Sequence, residues 1–207
     1  ADRLDRGGQK IGDVAPRVYA RYYSRYVMEM LLPVDRTPDL LRRVEALLSE
    51  RVWSRTLSRQ DRDEEWRERL MKRIGVLAPS WVDSEICVTH GDCTLSNVMQ
   101  RADGSLVLID PIPSRPHVPR CREADIGRLM QSVAGWEIIN GEAEETEWKC
   151  PEFWLNETKR RRALFWCGVT AARISVDWQS RGLLDDRPEI AEWCGVVRER
   201  CFHAVGL

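Results

Sequence analysis

The chain has 207 residues, enough for one well-packed core or two small lobes sharing an interface. Lysine plus arginine number 32 against 33 for aspartate plus glutamate, a net charge of -1, so no global field would draw in nucleic acid or an anionic membrane. Seven scattered cysteines make no C-x-x-C pair, the start Ala1 to Arg6 is charged, and no run nears the ~18 apolar residues of a membrane span. These features predict a cytoplasmic protein with reduced thiols.

Gly7 to Asp13 is polar and glycine-rich. Its Gly7-Gly8-Gln9-Lys10-Ile11-Gly12 fits neither G-x-G-x-x-G nor G-x-x-x-x-G-K-[ST] and reads as a flexible start or a linker. The β-branched and aromatic stretches 17–23 and 25–32 predict two strands, the second closed by Pro33. Thr37-Pro38-Asp39 then opens a helix as cap, N1 proline and first-turn acid, with Leu40, Leu41, Val44, Leu47 and Leu48 on one face. A second amphipathic helix over about 61–74 presents Trp66, Leu70, Met71 and Ile74. Short strands are expected at 86–88 and 106–109, the latter entered through the turn 102–105. Helical periodicity returns at about 124–136, with Ile126, Leu129, Met130 and Val133 as the apolar stripe. After the acidic loop Glu142 to Glu147, two more helices are expected, roughly 151–178 and 188–205. The nine tryptophans fall mostly on apolar helix faces and read as core.

The chemistry concentrates in His90-Gly91-Asp92-Cys93-Thr94-Leu95-Ser96-Asn97 and in Asp110 thirteen residues later. Phosphoryl transfer needs a carboxylate near the acceptor hydroxyl and oxygen ligands that hold Mg²⁺ against the phosphates. Asp92, Asn97 and Asp110 are the right residue types, and Asp92 precedes Asn97 by the five positions of a kinase catalytic loop. Taken singly, each has a structural reading: a turn residue, an Asx-turn, a strand-end cap. In this order between two predicted strands they point to a catalytic site, with His90 holding the loop by hydrogen bonds. Cys93 has a carboxylate neighbour, which raises a thiol pKa, and reads as a packed bystander.

This pattern resembles the aminoglycoside phosphotransferase and choline kinase group of the protein-kinase-like superfamily. Their catalytic loop reads H-G-D-x-x-x-x-N, and their second metal-binding Asp ends a strand in an Ile-Asp pair, as Ile109-Asp110 does. The resemblance implies an α+β, protein-kinase-like fold that is mainly the helical C-terminal lobe, with a small remnant of the N-terminal sheet lobe. Residues 1–33 would be that remnant and the hinge, and 34–207 the helical catalytic lobe. It also implies Asp92 as catalytic base or acceptor-orienting carboxylate, Asn97 and Asp110 as Mg²⁺ ligands, and ATP or another nucleoside triphosphate as cofactor. Asp125, in Ala124-Asp125-Ile126-Gly127-Arg128-Leu129, would brace the catalytic loop or serve only as a first-turn helix acid. Tyr26 to Leu31 looks like the hinge strand, which would set Glu29, Met30 and Leu31 against adenine. It reads equally as a buried strand with one inward Glu.

The function implied is an ATP- and Mg²⁺-dependent phosphotransferase acting on a hydroxyl of a small molecule such as an aminosugar or amino alcohol, with neither nucleic acid nor membrane as partner. Glu142, Glu144, Glu145 and Glu147 would suit a cationic acceptor or form a solvated loop. Three departures stand beside the match. Only 16 residues precede Arg17, and the family's sheet lobe, with its phosphate-covering loop and strand lysine, is expected to be mostly missing. Pro111 and Ile112 follow Asp110 where protein kinases carry Phe-Gly, and Thr94 is neutral where many relatives carry a basic residue. They motivate an alternative: a non-catalytic, kinase-derived binding module or fragment, completed by a partner chain or a second copy.

Overall fold

The computed structural model describes residues 18–22, 25–28, 30–35, 37, 39–54, 61–82, 86–112, 120–141 and 156–207. Strands β1 (Val18–Tyr22) and β2 (Arg25–Met28) form an antiparallel hairpin with a bulge between Val18 and Ala20. The second predicted strand therefore ends at Met28, and Leu32–Pro33 is a separate strand, β3. It pairs with β4 (Val98–Gln100), which the sequence reading missed, and β4 pairs in turn with β5 (Leu106–Leu108), all antiparallel. Pro33, expected to close a strand, lies within one. It can do so because β3 is at the sheet edge, where no ladder N–H is demanded.

Helix α1 (Leu40–Leu47) starts later than expected, at an Asp39 N-cap that makes no side-chain cap bond, and runs on into a π-turn over Leu48–Val52. Its buried Leu40, Leu41, Val44 and Leu48, with Val52 and Trp53, pack on Cys93, Leu95, Val98, Leu106 and Leu108 of the sheet side and on Ile126 and Leu129. Helix α2 (Asp61–Ile74) buries Leu70, Met71 and Ile74; the Trp66 side chain lies outside the described residues. Of the expected strand at 86–88, the described residues show an isolated bridge, Ile86 to Cys121, with Cys87 N–H donating to the Arg120 carbonyl.

The predicted helix 124–136 divides into α3 (Arg122–Val133) and α4 (Trp136–Ile139). Gly135 causes the break, since its φ of 92° lies in the left-handed region that ends a helix. Helices α5 (Glu157–Gln179) and α6 (Pro188–Val205) follow, α5 capped by Asn156 accepting from the Lys159 N–H. Residues 151–155, expected to begin α5, and the acidic cluster Glu142 to Glu147 lie outside the described residues. Trp136 joins Trp178 and Trp193 at the α4–α5–α6 junction, with ring centroids 6.2 Å and 5.3 Å away. Helices and antiparallel sheets thus combine in an α+β arrangement. No helix among the described residues is long and apolar enough to cross a membrane, and the six described cysteines are free thiols.

Helix α3 is seated against α5 at Gly127. A Cβ there would stand 2.8 Å from the Cys167 amide nitrogen and 2.9 Å from the Trp166 Cβ, neither of which can swing away. Gly127→Ala should therefore lower stability by about 1–3 kcal/mol in urea unfolding. Gly195→Ala, on α6 with nothing within 4 Å of the added methyl, should be neutral or mildly stabilising.

Candidate active site

The motif 90–97 runs from the Ile86 bridge to β4 as a loop closed by a 3-10 turn over Leu95–Asn97. An isolated loop of this length has amide groups that neither sheet nor helix satisfies, so their partners decide its shape. Asp125, on the first turn of α3 and 1% exposed, supplies several. Its Oδ2 accepts from the His90 N–H at 2.8 Å and from the Trp53 indole Nε1 at 3.0 Å, and its Oδ1 accepts from the Gly91 N–H at 2.9 Å. Burial pushes the Asp125 carboxyl pKa up, while His90 and these donors pull it back down.

A second buried carboxylate holds the other half of the loop. Glu137 of α4, fully buried, accepts at Oε1 from the Leu95 N–H (3.1 Å) and the Ser96 N–H (3.4 Å), and the Ser132 hydroxyl oxygen also accepts from Leu95 N–H at 2.9 Å. Glu137 and Ser132 were missed in the sequence. No motif marks them, since acids in a helical stretch read as solvated, and only the break at Gly135 turns α4 under the loop.

Between these two anchors Asp92 projects toward α3. The Arg128 guanidinium grips its Oδ1, through Nε at 3.1 Å and through Nη2, and extends Nη1 to Gln131 Oε1. Asn97 Nδ2 donates to the Asp92 carbonyl oxygen at 2.8 Å, which leaves Oδ1 as the side chain's acceptor atom. Arg128 also escaped sequence reasoning. The signal was present in its spacing, because position 128 lies one turn beyond Asp125 on the same helix face.

Asp110 follows β5 directly. Ile109 N–H donates to the Asn97 carbonyl at 2.9 Å, so the chain reaches Asp110 one residue after meeting Asn97. Asp110 is exposed and has φ of 50°, the one described non-glycine residue with positive φ. A residue before proline is normally extended, and this left-handed backbone stores about 1–3 kcal/mol of strain. Ile112 N–H then donates to the His90 carbonyl at 2.7 Å, closing the segment back on the loop. Among the described residues no group of three His, Cys, Asp or Glu side chains forms a metal cage. The donors here are instead Asn97 Oδ1 and the Asp110 carboxylate. Such hard oxygens fit Mg²⁺, which takes one or two protein ligands and fills its shell with phosphate oxygens and water.

His90 is fully buried, and neither ring nitrogen makes a hydrogen bond of good geometry among the described residues. Burial lowers its pKa, against the pull of Asp125, of Asp92 and of the backbone at Ile109 and Asp92, so the ring is held neutral while its backbone N–H and carbonyl tie the loop. Cys93 is buried as well, and burial together with Asp125 and Asp92 drives its thiol pKa well up, which removes it as a nucleophile. Thr94 turns inward to share a hydrogen bond with the Ser96 hydroxyl at 2.9 Å. Of the residues expected to face adenine, Met30 is 80% exposed and Leu31 half-buried, both outside any helix and ahead of β3. Glu29 lies outside the described residues.

Residues 24–119 match the phosphotransferase enzyme family, APH. The APH family is part of the protein-kinase-like superfamily and agrees with the aminoglycoside phosphotransferase group. The matched segment contains the loop, β4, β5 and Asp110, and it stops short of Asp125, Arg128 and Glu137. A comparison with curated proteins returns no significant match.

Asp125→Ala would strip the acceptor from three N–H groups at once, each worth about 1–3 kcal/mol when left unpaired and buried. A loss of at least about 3 kcal/mol in urea unfolding is expected. The depressed His90 pKa sets the sign of a pH effect. The unfolded chain protonates this imidazole near pH 6.5 while the native chain resists, so stability falls as pH drops through that value. His90→Gln should flatten that part of the profile, measured by thermal unfolding between roughly pH 7 and 5.

Proposed function

We propose that the chain is an ATP- and Mg²⁺-dependent phosphotransferase that transfers a phosphoryl group to a hydroxyl of a small molecule. The observation that carries this reading is the grip on Asp92: Arg128 holds Oδ1, and Asn97 holds the backbone carbonyl at 2.8 Å and touches Oδ2 only at 3.5 Å, which leaves Oδ2 the carboxylate oxygen best placed to receive an acceptor hydroxyl. The APH match supports phosphotransfer in general, and the oxygen-only pair Asn97 and Asp110 supports Mg²⁺.

In this scheme Mg·ATP supplies an activated γ-phosphoryl group whose charge the metal offsets. Asp92 orients the acceptor hydroxyl and takes its proton as the new P–O bond forms and the bond from the γ-phosphorus to the bridging oxygen breaks, the electron pair leaving with ADP. Asn97 Oδ1 and the Asp110 carboxylate hold the metal, the left-handed turn at Asp110 setting the approach. Asp125 and Glu137 keep the loop backbone from drifting, since about 1 Å of misplacement can forfeit around a hundredfold in rate. The backbone of Glu29, Met30 and Leu31 is the adenine-facing segment, residues 34–207 act as the catalytic lobe of a kinase-like fold, and the cytoplasm is the compartment. Aminosugars and amino alcohols are the first acceptor classes to assay, and neither nucleic acid nor membrane takes part.

Two substitutions test this. Asp92→Asn should lower kcat by about 10² to 10⁴ while Mg·ATP still binds. Asp110→Ala should abolish Mg²⁺-dependent nucleotide binding in calorimetry with little change in thermal midpoint. Undiminished turnover in either variant overturns the assignment, and wild-type protein that fails to saturate with millimolar Mg·ATP would favour a non-catalytic module.

A further inference from the structure

Arg173 stands in the middle of α5, half-buried, at a narrow cleft it shares with Leu70, Gly91, Asp125, Arg128 and Thr170. The cleft opens beside the loop backbone at Gly91, next to Asp92. A guanidinium in such a place ordinarily has a carboxylate partner, because partial burial of a charge is expensive without one. Arg173 has no ion pair and no side-chain hydrogen bond among the described residues. The acids around it are engaged elsewhere. Asp92 is gripped by Arg128, Asp125 holds three N–H groups, and Asp177, one turn along α5, pairs with Arg73 of α2. Burial, then the nearby Arg128, and last Arg73 lower the Arg173 pKa, while Asp177 and Asp92 raise it.

We infer that Arg173 is a specificity residue binding a carboxylate on the acceptor, so that the hydroxyl compound phosphorylated at Asp92 is a hydroxy acid. This rests on the phosphotransferase reading for the role of Asp92, though the anion site itself does not. A single carboxylate matches the five-donor fork of one uncommitted guanidinium. A phosphate dianion would need a second, and Arg128 is already committed to Asp92 and Gln131. Leu70, Ala124 and Val169 give the cleft apolar walls, beside which a charged contact is screened less than in open water. The arrangement also gives register: a carboxylate on Arg173 would aim a hydroxyl a few bonds away at Asp92 Oδ2.

The test is titration of the whole chain, without nucleotide, by glycolate, glycerate and serine, by the neutral glycolamide and glycerol, and by inorganic phosphate. Calorimetry and the Arg173 Nε–Hε NMR signal are the readouts. At least one hydroxy acid should saturate, shift that signal, and bind at least about tenfold tighter than the neutral compounds, the difference expected of one charge-assisted bidentate contact. Arg173→Gln should weaken hydroxy-acid binding by a similar factor, Arg173→Lys should restore part of it, and Arg200→Gln on α6 should leave it unchanged. Thermal melts of the Arg173 variants separate lost binding from lost folding, and the NMR signal reports on wild-type protein in either case. The inference is overturned if no hydroxy acid saturates, if neutral compounds or phosphate bind as tightly, or if Arg173→Gln binds undiminished. A parallel titration with Mg·ATP keeps the two readings apart. Nucleotide binding without carboxylate binding sinks only the subsite, and the reverse sinks only the kinase.

Discussion

The buried carboxylate of Asp125 is the constraint on which the site depends. An ionisable group at 1% exposure is costly unless its oxygens are engaged, and here three donors come from two parts of the chain: the indole of Trp53 beyond α1, and the backbone of His90 and Gly91. Satisfying this one group therefore positions α3, the end of α1 and the start of the catalytic loop relative to one another. Nothing else in the loop can move far while those bonds persist.

Glu137 holds the far end of the loop through Oε1 alone, its buried Oε2 having no partner among the described residues, and the break at Gly135 is what brings it there. Backbone amides held from below at residues 90, 91, 95 and 96 leave Asp92 and Asn97 to turn toward each other and toward the end of β5. Arg128 then follows from helix geometry, one turn past Asp125. The close contact at Gly127 seats α5 against the same helix and delivers Arg173 to the cleft. One short helix thus supplies the loop brace, the grip on Asp92 and the surface on which a second arginine is presented.

Much of the architecture was legible because apolar periodicity reports packing directly. Leu40, Leu41, Val44 and Leu48, then Leu70, Met71 and Ile74, are buried where their spacing placed them, and α2 and α6 occupy their expected ranges. The failures have local causes. The stretch 86–88 has strand propensity but, among the described residues, meets just Arg120 and Cys121, so it makes a bridge. β4 was hidden because Val98-Met99-Gln100 is too short for alternation to show, and it exists because β3 and β5 flank it. The helix after 124 was drawn through Gly135, whose left-handed backbone is optional for a glycine until packing demands it.

For the site, the residues Asp92, Asn97 and Asp110 were readable as a set, since the chemistry of phosphoryl transfer constrains both residue type and local separation. Their partners were not. Arg128 is 36 positions from Asp92, Glu137 is 42 from Leu95, and Trp53 is 72 from Asp125. The sequence by itself determined which side chains could do the chemistry, through a short spacing that any loop conformation preserves. Only the tertiary structure decided which buried charges hold that loop and which arginine lacks an ion pair among the described residues, because those pairings depend on how α3, α4 and α5 pack.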